Sequence, residues 1–207
     1  MMSVPSYAPT AYVVDDDESI RTLWRWLLES NGIAEQTFAT AAQFLEGYRD
    51  GRGCLVLDLR LPGMSGLELQ EHLKRRGVEI PIVFVSAHGD IPAAVSAIKG
   101  GAVDFIQKPF SYREVLAIIA KAMARDDEIR ELRARRVAIA ARLAALTERE
   151  SDVLRRIIEG KQNKIIAGEL DISVKTVELH RSKVMEKMDV DSVAELVQLM
   201  LQRTEPT

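Results

Sequence analysis

The sequence predicts a doubly wound α/β domain followed by a small all-helical one. Three observations carry this. Over residues 1–124, short β-branched runs alternate with amphipathic stretches of helix length. After residue 124 the strand signal stops. Near the C-terminus, three residues separate two helical stretches, the spacing of a helix-turn-helix.

The strand-like runs are Ala11–Val14, a weaker Ile33–Phe38, Cys54–Leu57, Ile82–Val85 and Val103–Ile106. The helical stretches between and after them are Ser19–Ser30, Ala41–Tyr48, Gly66–Arg76, Ile91–Lys99 and Tyr112–Met123. Buried Val, Ile and Leu runs alternating with helices imply βαβ units and a five-stranded parallel sheet. Ligands in that architecture sit at the carboxyl ends of the strands. Asp17 and Glu18 stand where the first helix begins and favour its N-terminus.

Asp126–Leu146 holds neither Gly nor Pro. Ile129, Leu132, Arg136, Ile139, Leu143 and Leu146 recur at 3–4–3–4–3 spacing, a short heptad seam that Arg136 interrupts. This predicts a solvated linker helix running on from Met123, part of it available to a partner subunit. Thr147 and Glu150 form a capping box. Four helices follow, at about 148–159, 162–170, 174–188 and 192–202; Gly160 is placed to end the first, and Asp171-Ile172-Ser173 is the turn before the third. The predicted organisation is 1–124, an α/β domain; 125–146, a linker helix; and 147–207, a four-helix helix-turn-helix domain.

Composition narrows the class. Of 207 residues, 47% are hydrophobic and 29% charged, enough for an ordinary core and against wholesale disorder. The one cysteine, Cys54, excludes an intramolecular disulfide and a Cys-based zinc site, and reads as a small buried apolar residue. No apolar run reaches the length of about 18 residues that a membrane span needs. The N-terminus lacks the basic-then-apolar order of a signal peptide. A cytoplasmic protein without membrane partners is expected. Net charge is −3, all of it in residues 1–124. A claim of nucleic-acid binding must therefore rest on a motif and a local basic face, not on bulk charge.

The chemistry-bearing residues fall at strand ends. Asp15, Asp16, Asp17 and Glu18 follow the first strand, Asp58 ends the third, Ser86-Ala87 closes the fourth, and Lys108-Pro109 follows the fifth. The fold brings them to one edge of the sheet. Carboxylates so close repel one another unless a cation sits among them. Hard oxygen ligands without His or Cys suit Mg²⁺. Lys108 can pair with a carboxylate or phosphate, and Ser86 offers a hydroxyl to the same oxygens. Lys108-Pro109 is a candidate cis peptide. His72 reads as a surface helix residue, and His88 as a loop donor, because no second His or Cys stands near.

Val13-Val14-Asp15-Asp16-Asp17, Leu57-Asp58-Leu59-Arg60-Leu61-Pro62-Gly63-Met64-Ser65-Gly66, Ser86-Ala87 and Lys108-Pro109-Phe110 resemble the receiver domain of bacterial two-component response regulators over roughly residues 10–124. The resemblance implies a CheY/flavodoxin-like fold and phosphorylation of Asp58 by a sensor histidine kinase. It implies Mg²⁺ held by Asp15, Asp16, Asp58 and the backbone carbonyl of Arg60. It makes Ser86 and Phe105 the switch pair and Lys108 the phosphoryl-binding lysine. Phe105 stands where Tyr is common.

Residues 146–203 resemble the LuxR-type helix-turn-helix, through Leu146-Thr147-Glu148-Arg149-Glu150, Gly160, Asn163-Lys164, Ile166-Ala167, Leu170, Ile172-Ser173, Thr176-Val177 and His180. Together the two place the chain in the NarL/FixJ group, nearest FixJ. The resemblance implies a dimer on phosphorylation that binds double-stranded promoter DNA and acts with RNA polymerase, usually as an activator, rather than an enzyme that turns over a substrate. Val177, Val184, Met185 and Met188 are expected in the core. By position in the family, Glu178, Leu179 and Ser182 read bases. Lys164, Lys175, Thr176, Arg181 and Lys183 are assigned to the DNA backbone, with Lys161 and Lys187 adding to the basic face. His180 reads as a structural residue or phosphate donor. Departures from the family pattern are Ile165 for a frequent Glu, Asp171 and Asp189 for common glycines, and Glu178 for a frequent Lys. Two alternatives stay open to the sequence: a DNA-binding regulator independent of phosphorylation with a relic receiver, and an Asp-nucleophile phosphatase, which would want a second acid where Arg60 stands.

Overall fold

The structure, a computed structural model, describes residues 8–87 and 91–204, with side chains as far as Leu201. The expectations for the extreme N-terminus (1–7) and for His88 lie outside the described residues. The chain divides into two compact units, Met1–Arg130 and Glu131–Thr207.

The first unit holds five strands: β1 (Thr10–Val14), β2 (Ala34–Phe38), β3 (Gly53–Leu57), β4 (Ile82–Ser86) and β5 (Asp104–Gln107). All pair in parallel, in the order β2-β1-β3-β4-β5. The order reverses between β1 and β3, the switch point at which such sheets bind ligands. Side chains alternate between faces with the strand period of two. Ala11, Val13, Cys54, Val56, Val83 and Val85 face one core, and Tyr12, Val14, Leu55, Leu57, Ile82 and Phe84 the other.

The helices α1 (Glu18–Ser30), α2 (Ala41–Gly47), α3 (Gly66–Arg75), α4 (Ile91–Lys99) and α5 (Tyr112–Ala144) cover both faces. Trp24, Leu27 and Leu28 of α1 and Val115, Ile119 and Ala122 of α5 close the first core; Phe44, Leu69, Leu73 and Ala97 from α2, α3 and α4 close the second. Asp17 caps α1 by accepting from the Ser19 amide, and Ser65 with Glu68 forms a capping box on α3. Cys54 is fully buried, as expected, and burial pushes its thiol pKa up to about 12.

α5 is one helix of 33 residues, so the linker stretch does run on from Met123. The heptad seam is not used evenly. Leu132 is exposed, Ile139 is buried, and Leu143 and Leu146 pack against the second unit's core.

The second unit adds α6 (Glu148–Ile158), α7 (Asn163–Leu170), α8 (Val174–Met188) and α9 (Val193–Thr204). Its core gathers Val153, Leu154, Ile157, Ile166, Leu170, Val177, Val184, Met188 and Leu196, with Met185 partly buried against it. The capping box at Thr147 and Glu150 forms, and its Glu150 carboxylate also takes a hydrogen bond from Lys187 Nζ at 2.6 Å. Gly160 follows α6 at φ +76°. Asp171 and Asp189 close α7 and α8 in the left-handed conformation, at φ 54° and 55°. They occupy positions that glycine would fill at less steric cost.

Candidate functional site

The carboxyl ends of β1, β3 and β5 deliver an acidic cluster and one cation. The Asp15 amide bonds to Phe38 O and the Asp58 amide to Val14 O, extending the sheet ladder by one residue and setting both acids side by side. Lys108 follows β5, and its amide donates to Ser86 O at 2.8 Å. The Lys108-Pro109 bond is cis. Lys108 Nζ lies 2.7 Å from Asp15 Oδ2 and 3.0 Å from Asp58 Oδ2, so it bridges the two carboxylates.

One carboxylate oxygen each from Asp15, Asp16 and Asp58 falls within 4.8 Å of the others. Asp15 is buried, Asp58 half-buried and Asp16 exposed, so the cluster opens to solvent on the Asp16 side. Burial pushes the Asp15 carboxyl pKa up, against the lowering effect of its hydrogen bond from Lys108. Burial of Lys108 would lower its own value, but the hydrogen bonds to Asp15 and Asp58 outweigh it and the ammonium is held above its usual range. The pocket therefore keeps a permanent cation beside two acids. An all-oxygen donor set, open on one side and without His or Cys among the described residues, fits a hydrated Mg²⁺ ion.

The surrounding loops are held by backbone contacts. Asp15 Oδ1 accepts from the Asp17 amide at 3.0 Å, and Asp58 Oδ1 from the Arg60 amide at 3.1 Å. Arg21, which sequence reasoning did not single out, donates to the Asp15 carbonyl at 2.8 Å. It lies six residues from Asp15 and belongs to no pattern that would have flagged it. Gly66 is required by close approach: a Cβ there would sit 2.3 Å from the Asp58 carbonyl oxygen. Ser86 is buried at the end of β4. Phe105 is half-buried and stacks on Phe84, with ring centroids 6.2 Å apart. Arg60 is exposed.

The second candidate surface is the helix-turn-helix. Ser173 caps α8, accepting from the Thr176 amide at 3.1 Å. With Val177, Val184 and Met188 buried, Lys175, Glu178, Leu179, Ser182 and Lys183 are exposed, while Thr176 and Arg181 are half-buried. Lys164 is exposed on α7, whose N-cap residue Gln162 makes no side-chain cap. Two lysines expected on the basic face are engaged elsewhere. Lys187 bonds Glu150 and the Ala145 carbonyl, and Lys161 pairs with Glu159 at 2.9 Å and Glu169 at 2.6 Å. Their charge is spent within the fold, because an acid stands beside each. His72 is half-buried rather than on the open surface.

Among the described residues, no helix is long and apolar enough to cross a membrane. Residues 11–120 match the response regulator receiver domain, and residues 144–200 match the luxR family of bacterial regulatory proteins. The chain is 41% identical over 191 residues to the transcriptional regulatory protein FixJ of Azorhizobium caulinodans, covering 92% of this chain and 90% of that protein. It is 42% identical over 193 residues to the response regulator protein TodT of Pseudomonas putida strain F1, covering 93% and 85%. Among solved structures, the response regulator StyR superposes with a TM-score of 0.86 at 46% identity, over 95% of this chain and all of that one. Full-length FixJ from B. japonicum gives 0.58 at 40% identity, over 94% and 97%. By these matches over nearly its whole length, the chain belongs to the response regulators of the NarL/FixJ group, with an N-terminal receiver domain and a C-terminal LuxR-type DNA-binding domain.

Proposed function

We propose that this regulator is cytoplasmic and is switched by phosphorylation of Asp58 by a sensor histidine kinase, and that the phosphorylated form dimerises, binds promoter DNA and activates transcription with RNA polymerase. The observation that carries the reading is the Lys108 ammonium placed on both Asp15 and Asp58. In the transfer, a carboxylate oxygen of Asp58 attacks phosphorus, the P–N bond of the donor phosphohistidine breaks, and the imidazole leaves with the electron pair. A carboxylate is a poor nucleophile toward an anionic phosphoryl group unless charge is neutralised. Lys108 supplies part of that, by exchanging Asp58 for a phosphoryl oxygen. Mg²⁺ held by Asp15, Asp16, Asp58 and the Arg60 carbonyl would supply the rest.

The new charge draws the Ser86 hydroxyl, and Phe105 turns into the space that opens, which couples the pocket to the face of α4, β5 and α5. α4 supports this face as the dimer contact, since Ile91, Val95 and Ile98 are all exposed on it. Residues 1–124 then act as receiver, 125–146 as linker helix and 147–207 as the DNA-binding domain. α8 enters the major groove. Glu178, Leu179 and Ser182 read base edges; Lys164, Lys175, Thr176, Arg181 and Lys183 hold phosphates. The uncapped amides at the start of α7 add a phosphate contact.

The test is incubation with acetyl phosphate and Mg²⁺, followed by intact mass and gel shift on a promoter pool. One added phosphoryl group, lost in Asp58→Asn, with tighter DNA binding of the wild type, is the expected result. DNA binding unchanged by phosphorylation would leave a constitutive regulator and end the switch.

A further inference from the structure

We infer that Asp126 and Arg130 are positioning residues that extend the receiver's hold on α5 by two turns and set the point at which the helix leaves the first unit. Along α5, Val115, Ile119 and Ala122 form the stripe buried against the sheet. The next position on that stripe is Asp126, and it too is buried, at 2% exposure. A carboxylate thus stands where the helical period calls for another apolar side chain.

Its partners explain this. Asp126 Oδ2 accepts from the Gly53 amide at 2.8 Å and from Arg130 Nε at 2.8 Å. Arg130 Nη2 donates to the Gly51 carbonyl at 2.8 Å and lies 3.5 Å from Asp50 Oδ1. Next to them, Arg52 pairs with Asp127. The backbone of the loop before β3 is therefore tied to α5 through both its donor and its acceptor groups. That loop has little freedom to yield. A Cβ on Gly51 would meet the Tyr12 hydroxyl at 1.9 Å, and Gly53 sits at φ +132°, its Cβ position 1.8 Å from the Thr10 carbonyl oxygen. Tyr48 also donates to the Gly51 carbonyl, at 3.2 Å.

A buried charge persists only when it is paired and hydrogen-bonded, so the brace holds as a unit or not at all. It lies at the amino ends of the strands, the edge of the sheet opposite the acidic pocket. The first compact unit ends at Arg130, and the residues that follow, 131–135, are exposed. Movements of the receiver reach the rest of α5 through this fixed point.

The role in coupling rests on the proposed phosphorylation switch; the brace itself does not. The test uses the full-length chain and two variants: Arg130→Ala, and Asp126→Ala/Arg130→Ala, which leaves no unpaired buried carboxylate should the single variant fail to fold. Hydrogen exchange of amides 124–131 is expected to speed up at least tenfold, with amides 115–122 unchanged. The ratio of DNA affinities with and without acetyl phosphate and Mg²⁺ is expected to fall at least fivefold, with phosphoryl incorporation by mass unchanged. Unaltered exchange at 124–131 would overturn the brace. Faster exchange with an unaltered affinity ratio would overturn the positioning role. A wild type whose DNA binding ignores phosphorylation would instead sink the switch, and the exchange result would still decide the brace.

Discussion

Glu150→Gln isolates what one buried carboxylate contributes to the DNA-binding domain. Glu150 is 3% exposed in its side chain, accepts from the Thr147 amide at 2.8 Å and from Lys187 Nζ at 2.6 Å. The Lys187 hydrogen bond, then the Thr147 amide, hold its pKa down at about 2, from 4.5. That depression is worth about 3 kcal/mol at most. Lys187 is one-third exposed and solvent screens the pair, so about 1–2 kcal/mol is expected. Glutamine keeps the shape and an acceptor for the cap but loses the charge. Both tryptophans, Trp24 and Trp26, lie in the receiver, so their fluorescence reports that domain alone, while circular dichroism sees the helices of both. With a urea slope of about 1 kcal/mol/M for a small domain, the substitution should lower the midpoint of the C-terminal transition by about 1–2 M and leave the fluorescence transition in place. Because the folded pKa lies below the unfolded one, the contribution is complete above pH 4.5 and is lost as pH falls from there toward 2. The wild type should therefore lose stability over that window, and Glu150→Gln should lose correspondingly less. Equal midpoints, or an acid slope unaltered by the substitution, would refute the assignment of this stability to the Glu150–Lys187 pair.

Two further outcomes follow from local geometry. Asp171→Gly should stabilise the DNA-binding domain by about 0.5–1 kcal/mol, because φ 54° costs an aspartate more than a glycine; a lower midpoint of the C-terminal transition would contradict this. Cys54 should resist a disulfide reagent at pH 8 in the native protein and react stoichiometrically in guanidinium, since burial raises its pKa to about 12; fast labelling of the native protein would show the core of the receiver to be open.

Much of the site was legible because receiver chemistry sits at strand ends, and strand ends are marked by a change from apolar to polar residues. Leu57-Asp58 and Val14-Asp15 are such changes, and a parallel sheet allows few ways of arranging them. The same logic read the helix-turn-helix from Thr147, Gly160 and the Asp171–Ser173 turn. Which basic residues remain available for DNA was not legible. Lys161 and Lys187 look no different in sequence from Lys164 and Lys183, but Glu169 and Glu150 reach them from eight and 37 residues away. Charge counted along one helix misses partners that arrive from another. The seam along the linker likewise meets different surroundings along its length. Leu132 and Leu143 share its period, yet only Leu143 finds a core to join.

The order of elements, the strand and helix types, the caps and the acidic residues at the carboxyl edge were determined by the sequence alone, because each depends on neighbours within a few residues or on a period of two or 3.6. The pairing of Lys108 with both Asp15 and Asp58, the withdrawal of Lys161 and Lys187 into ion pairs, and the burial of Asp126 against the Gly53 amide were decided only by the tertiary structure. Each joins residues far apart in the chain, and whether a charge is free, paired or buried depends on what the fold carries to its side.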